Sequence, residues 1–177
     1  MRSRRYRPIQ VSDRAVALFV ECGDLVLAVE AEFTVRILLA NETVVRPPER
    51  EGFPSQVDSG AGMVPAWDLQ EMLGWPPGGE SWLVVRAPRS WPFHAFALRT
   101  GRCLAVRAMP SVSSLPHAMF QMRGRAFPAG FRTHGISELE AFPTGVVLDP
   151  TQLLTREEID RGAASVSSGV GAQEATR

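Results

Sequence analysis

The chain has 177 residues, enough for one globular domain or two small subdomains that share a core, and its 45% hydrophobic and 21% charged composition excludes a chain that stays unfolded. Basic and acidic residues number 19 each, so no bulk field draws the whole molecule to nucleic acid or acidic lipid. Every basic residue is Arg and none is Lys, which fits a GC-rich coding sequence better than anion chemistry spread over the surface.

In chain order, the first element is a basic tail. Residues 1–13 carry Arg2, Arg4, Arg5 and Arg7 with little apolar content, and are expected to be flexible. The runs 15–22 and 25–30 are rich in Val, Leu and Phe, and the Gly23-Asp24 pair between them signals a tight hairpin with buried strands. Residues 44–62 hold Pro47, Pro48, Pro54 and a charged cluster at 49–51, and are expected to form a long loop. A short strand at 63–67 then runs into Asp68-Leu69-Gln70-Glu71-Met72-Leu73-Gly74, where Asp68 caps a helix and Gly74 ends it. Residues 96–100 and 102–107 flank Gly101 as an expected second hairpin, and Val146-Val147-Leu148 leads into a second capped helix with Asp149 at the cap and Pro150 at its first position. The two glycines and the two capping aspartates each repeat at a spacing of roughly 80 residues, which points to an internal duplication of a β-rich half. Past Glu157 the chain becomes Ala, Ser and Gly rich, and residues 158–177 are expected to be a disordered tail.

Cys22 and Cys103 form no CxxC and sit in apolar runs, so neither a disulfide framework nor a zinc site is expected. No apolar run approaches the roughly 20 residues needed to span a bilayer, and no signal-peptide core follows the N-terminal arginines, so a cytoplasmic protein without membrane insertion is expected.

Three stretches together resemble the CheW-like coupling proteins of bacterial chemotaxis: the opening hairpin with its continuation through Val35-Arg36-Ile37-Leu38, the string Met63-Val64-Pro65-Ala66-Trp67-Asp68-Leu69, and the closing Gly145-Val146-Val147-Leu148-Asp149. The resemblance covers residues 14–157. It implies an all-β domain of two SH3-like five-stranded barrel subdomains around a shared core, with short capping helices. It implies no enzymatic activity and no cofactor. The implied role is a scaffold that links a CheA-like histidine kinase to a methyl-accepting chemoreceptor, another adaptor or a motility partner, with self-association also open and localisation at membrane receptor arrays. Partner contacts carried over from the family fall on Val35, Arg36, Ile37, Gly60, Ala61 and Met63. Several of these depart from the family pattern. Gly60 and Ala61 stand where the family has Arg and Gly, Ile37 where it commonly has Glu, and Arg107 where it usually has Asp, so charge complementarity and partner choice are expected to differ.

Other chemistry has weaker support. Asp58-Ser59-Gly60-Ala61 resembles the active-site turn of a retroviral-type homodimeric aspartic protease, in which two carboxylates share a proton, but polar residues precede it where that turn needs an apolar strand. His94, His117 and His134 are scattered without metal-ligand spacing, and no Walker, GxGxxG or GxSxG motif is present. The 117–132 segment interleaves Met, Phe and Arg, which suits a protein-binding loop or closure of the second core; three arginines without a wider basic surface do not make a nucleic-acid site. The four tryptophans around the first capped helix are expected to anchor the core.

Overall fold

A computed structural model describes residues 15–114, 121–127, 129–133, 136, 139, 141–142 and 144–174, with backbone alone at 114, 121–122, 126 and 168–174. The tail at 1–13 and His117, Met119, Phe120 and His134 lie outside the described residues. In order, the strands are β1 (Val16–Cys22), β2 (Leu25–Glu30), β3 (Thr34–Leu39), β4 (Val45–Arg46), β5 (Ser55–Asp58), β6 (Met63–Asp68), β7 (Ser81–Arg86), β8 (Ala95–Thr100), β9 (Cys103–Ala108), β10 (Val112–Ser114), β11 (Gln121–Met122), β12 (Arg125–Ala126), β13 (Ala129–Arg132) and β14 (Thr144–Val147). The helices are α1 (Leu69–Leu73) after β6, and α2 (Pro150–Leu153) and α3 (Arg156–Glu174) after β14.

The fold is all-β, as expected. Its strands form two mixed six-stranded sheets, ordered β10-β13-β14-β2-β1-β9 and β3-β7-β8-β6-β5-β4, with β11 and β12 a separate pair. No hydrogen-bonded closure into five-stranded barrels is present among the described residues.

Local chemistry explains the elements that the sequence announces. Cys22 pairs with Leu25 across the β1–β2 turn, and Gly23 sits at φ +56, the left-handed region that a first central turn residue needs and that glycine enters cheaply. Asp68 accepts the Glu71 N–H at the start of α1, and Gly74 closes the helix at φ +100. Asp149 accepts the Thr151 N–H, with Pro150 at the first position of α2.

Three expectations need correction. Strands β8 and β9 do not form a hairpin: β8 pairs with β7 and β6, β9 pairs with β1, and Gly101 is the corner where the chain leaves one sheet for the other. There the Gly101 N–H donates to the Glu21 carbonyl at 2.9 Å, and a Cβ on Gly101 would stand 2.8 Å from the Glu21 Cβ, so the close approach of β1 selects glycine. The 44–62 loop contains strands β4 and β5, and the pairing of β5 on β6 and of β4 on β5 comes from the sheet rather than from local propensity. Residues 158–174 are helical, not irregular, because Ile159 is buried in the core and Gly162 lets α3 approach Trp67 and Phe93 closely.

The two sheets share one core. Leu18, Val20, Leu27 and Val29 of the first sheet meet Leu83, Val85, Phe96 and Leu98 of the second, and α1, α2 and α3 seal the ends with Leu69, Leu153 and Ile159. Trp67, Trp91, Phe93 and Phe96 stack there with ring centroids 5.5 to 6.3 Å apart. The opposite face of each sheet carries a smaller cluster, Phe19 on Phe131 in one and Trp82 with Val84 and Ala97 in the other. All four tryptophans are at least partly buried, as core anchors are expected to be.

The internal repeat is real, but it is interleaved. Read from an edge, β9-β1-β2-β14-β13-β10 and β3-β7-β8-β6-β5-β4 have the same order of antiparallel and parallel pairings. The β6–α1 and β14–α2 units correspond, as the aspartate spacing indicates. The β1–β2 hairpin corresponds to β7–β8, not to the strands around Gly101, so the N-terminal hairpin completes the C-terminal sheet.

Candidate protein-docking surface

Among the described residues strand β3 is an edge strand, hydrogen-bonded to β7 alone, and its Thr-Val-Arg-Ile-Leu-Leu sequence suits extended structure. The register slips by one residue between Thr34 and Arg36, leaving Val35 as a bulge. Beyond the bulge Leu38 packs inward on the Trp82 cluster, while Ile37 and Leu39 fall on the opposite face, Ile37 across from the core residue Leu83. At the edge that face is uncovered: Val35 is 55% exposed, Ile37 40% and Leu39 51%. An apolar row on an edge strand is a feature that soluble proteins normally blunt with charge or proline, and an unblunted one is a candidate contact surface.

Arg36 reaches from this strand to the β5–β6 turn, where its Nη1 donates to the Ser59 carbonyl at 3.2 Å. The turn is held from within. The Asp58 carboxylate accepts the Gly60 N–H at 2.8 Å, and the Ser59 hydroxyl donates to the Gly62 carbonyl at 2.8 Å. Gly60 sits at φ +80, and a Cβ there would collide with the Arg36 guanidinium. The structure therefore brings Arg36 together with Gly60, and places Ala61 and Met63 at and just beyond the same turn, while Val35 and Ile37 flank Arg36 along β3. Asp58 is exposed at a hairpin end and engaged in capping the turn, an arrangement with no resemblance to a shielded carboxylate dyad. His94 is exposed.

Two features escaped the sequence reading. Val106 and Val16 are 52% and 48% exposed on β9 and β1, at and beside the edge of the first sheet. Taking β9 as the partner of β8 hid its position at an edge.

Arg36 standing against Gly60 has a measurable consequence. Gly60→Arg is expected to lower stability by about 1 to 3 kcal/mol, because a left-handed residue costs an L side chain roughly 1 kcal/mol and Arg36 must also be displaced. Urea unfolding of the two proteins measures it, and equal midpoints would show that the turn relaxes freely.

The charged pairs lie away from this surface. Glu21 accepts from Arg102 at 2.7 Å beside the Gly101 corner, and that hydrogen bond holds the Glu21 carboxyl below its usual range. Burial raises the Glu158 carboxyl, but the hydrogen bonds from Arg125 and from the Thr155 N–H outweigh it and leave it lowered. Burial pushes Glu30 up, with Glu32 and Asp149 adding to the effect, and pushes the Cys22 thiol up to about 12. A depressed carboxyl stabilises the fold above its unfolded value and loses that contribution as the pH falls through the folded value. Glu21→Gln is therefore expected to leave a shallower decline of stability below about pH 5 than the wild-type chain shows, read from unfolding midpoints between about pH 7 and 3. Parallel profiles would remove Glu21 from the acid response.

Among the described residues no group of three or more His, Cys, Asp and Glu is placed to hold a metal, and no helix is long and apolar enough to cross a membrane. No family model matches the sequence, and no curated protein matches it. Among solved structures, the scaffolding protein TtCheW from Thermoanaerobacter tengcongensis matches with a TM-score of 0.63, over 89% of this chain and 96% of that one. The fold is CheW-like. The sequence identity is 10%, so the CheW likeness is one of strand order and packing, with nearly every side chain replaced.

Proposed function

We propose that the chain is a divergent CheW-like coupling protein, a non-catalytic scaffold that links a CheA-like histidine kinase to a chemoreceptor or a related motility partner at cytoplasmic receptor arrays. The observation that carries this reading is the CheW-like fold, matched over 89% of this chain. The uncovered apolar row of β3 supports it, since a scaffold needs surface that is left unused by its own core.

Val35, Arg36, Ile37, Gly60, Ala61 and Met63 form the partner-contacting set in this reading. Gly60 lacks the arginine of the family pattern, and the Arg36 guanidinium lies against the same turn. Arg36 then supplies a cation from the neighbouring strand, displaced from where a receptor matched to the family pattern would meet it. Such a shift changes partner choice more than total affinity.

Affinity purification from the native cell with mass spectrometry, followed by calorimetry with the purified partner fragments, tests the reading. Recovery of a chemotaxis-type kinase or receptor, bound directly in the micromolar range or tighter, is expected. A preparation that enriches neither, together with no heat of binding to either fragment, would reject the coupling role.

A further inference from the structure

The repeated strand order lets the two sheets be compared position by position. Strands β6 and β14 each run into an Asp-capped helix, and each lies parallel to its neighbour, β8 or β2. Setting Asp149 on Asp68 places Val146 on Pro65. The cross-strand registers then place Gly130, opposite Val146, on Gln56, opposite Pro65.

On the second sheet that face is covered by a helix. The Gln56 side-chain amide donates to the Ser165 carbonyl of α3, and Gly162 brings the same helix to within 2.8 Å, measured from an added Cβ, of the Trp67 ring. On the first sheet the equivalent face is the floor of an open groove of about 660 Å³, with Ser113, Gly130 and Val146 in one row and Arg132, Thr144 and Leu25 beside it.

Charge narrows the occupant. Among the described residues Arg132 is exposed with no hydrogen bond or ion pair, and none of those lining the groove is acidic. The helix that covers the second sheet begins with Glu157 and Glu158, and an arginine, Arg125, holds Glu158.

We propose that this groove binds an acidic amphipathic helix of a partner protein, with small residues against Gly130 and Val146 and a carboxylate on Arg132, in the manner in which α3 covers the second sheet. Helix-in-groove recognition of this kind needs an apolar floor and a few polar groups at the rim, and both are present. The inference goes beyond the coupling role and does not rest on it, because β3 and the β5–β6 turn belong to the other sheet.

The test titrates a 19-residue peptide with the α3 sequence, acidic in its first turn, into the nitrogen-15 labelled full-length chain. Saturable shifts at Gly130, Arg132 and Thr144 are expected, with a Kd below about 1 mM. Arg132→Glu should weaken binding about tenfold, the scale of one charge-assisted contact, and Ser113→Trp, at an exposed position, should block it by filling the groove. Both variants should keep the wild-type affinity for a kinase or receptor fragment, which separates this inference from the coupling role. No saturation at about 1 mM, indifference to both substitutions, or shifts confined to Gln56, Pro65 and Trp67 would each overturn it.

Discussion

A chain that stops at Glu157 is expected to lose more than about 4 kcal/mol of stability and to unfold at least about 10 °C below the full-length protein. Helix α3 contributes through side chains that truncation removes together. Ile159 is buried in the shared core, and a large-to-small change at such a site costs about 2 to 5 kcal/mol. Without α3, Trp67 and Phe93 also lose part of their cover and the Gln56 amide loses its acceptor. Gly162→Val isolates the packing without deleting anything: its Cβ would stand 2.8 Å from Trp67 and 3.0 Å from Phe93, and overpacking of that kind costs about 1 to 3 kcal/mol. Differential scanning calorimetry reads both, and an unchanged midpoint on truncation would mean that α3 rests on the sheet without stabilising it.

The second large effect is expected in binding rather than in stability. Replacing Ile37 and Leu39 with Lys together should weaken kinase or receptor binding at least thirtyfold, because buried apolar anchors at interface centres are worth about 2 kcal/mol or more. The same substitutions should change folding stability by no more than about 1 kcal/mol, since both side chains are already about half in water and Lys on an edge strand is well tolerated. Surface plasmon resonance against the partner fragment, beside a thermal melt, separates the two quantities. Full affinity in a folded double variant would remove β3 from the contact surface.

The elements that could be read in the sequence are those set by neighbours a few residues away. Gly23-Asp24 closes its hairpin through a backbone angle, and Asp68 and Asp149 cap their helices through hydrogen bonds spanning two or three residues. Gly101 looked like a second such turn, but whether the strand after it pairs backward or crosses to another sheet depends on Glu21, far away in the chain. Helix α3 was illegible for a related reason. Its Gly, Ala and Ser residues lower helix propensity and read as a linker, yet Gly162 is what lets the helix reach Trp67. For the candidate surface, motif order singles out Val35, Arg36 and Ile37 as an expectation, while the exposure of Leu39 and Val106 and the approach of Arg36 to Gly60 arise only when the edges of the sheet come into place.

The interleaving of the two sheets also sets a timetable for synthesis. When the ribosome has delivered residues up to Thr100, every strand of the β3-to-β8 sheet is present, and that sheet can pair completely. The β1–β2 hairpin, the most apolar part of the chain, then has each other only: its outer neighbours β9 and β14 are not yet made. Until β9 emerges the hairpin presents two unpaired edges, and until β14 emerges the β2 edge stays open, a condition that invites pairing with other chains. Pairing β2 with β14 makes completion of the first sheet wait for a strand more than 110 residues later in the chain, and contacts of such long sequence separation fold slowly.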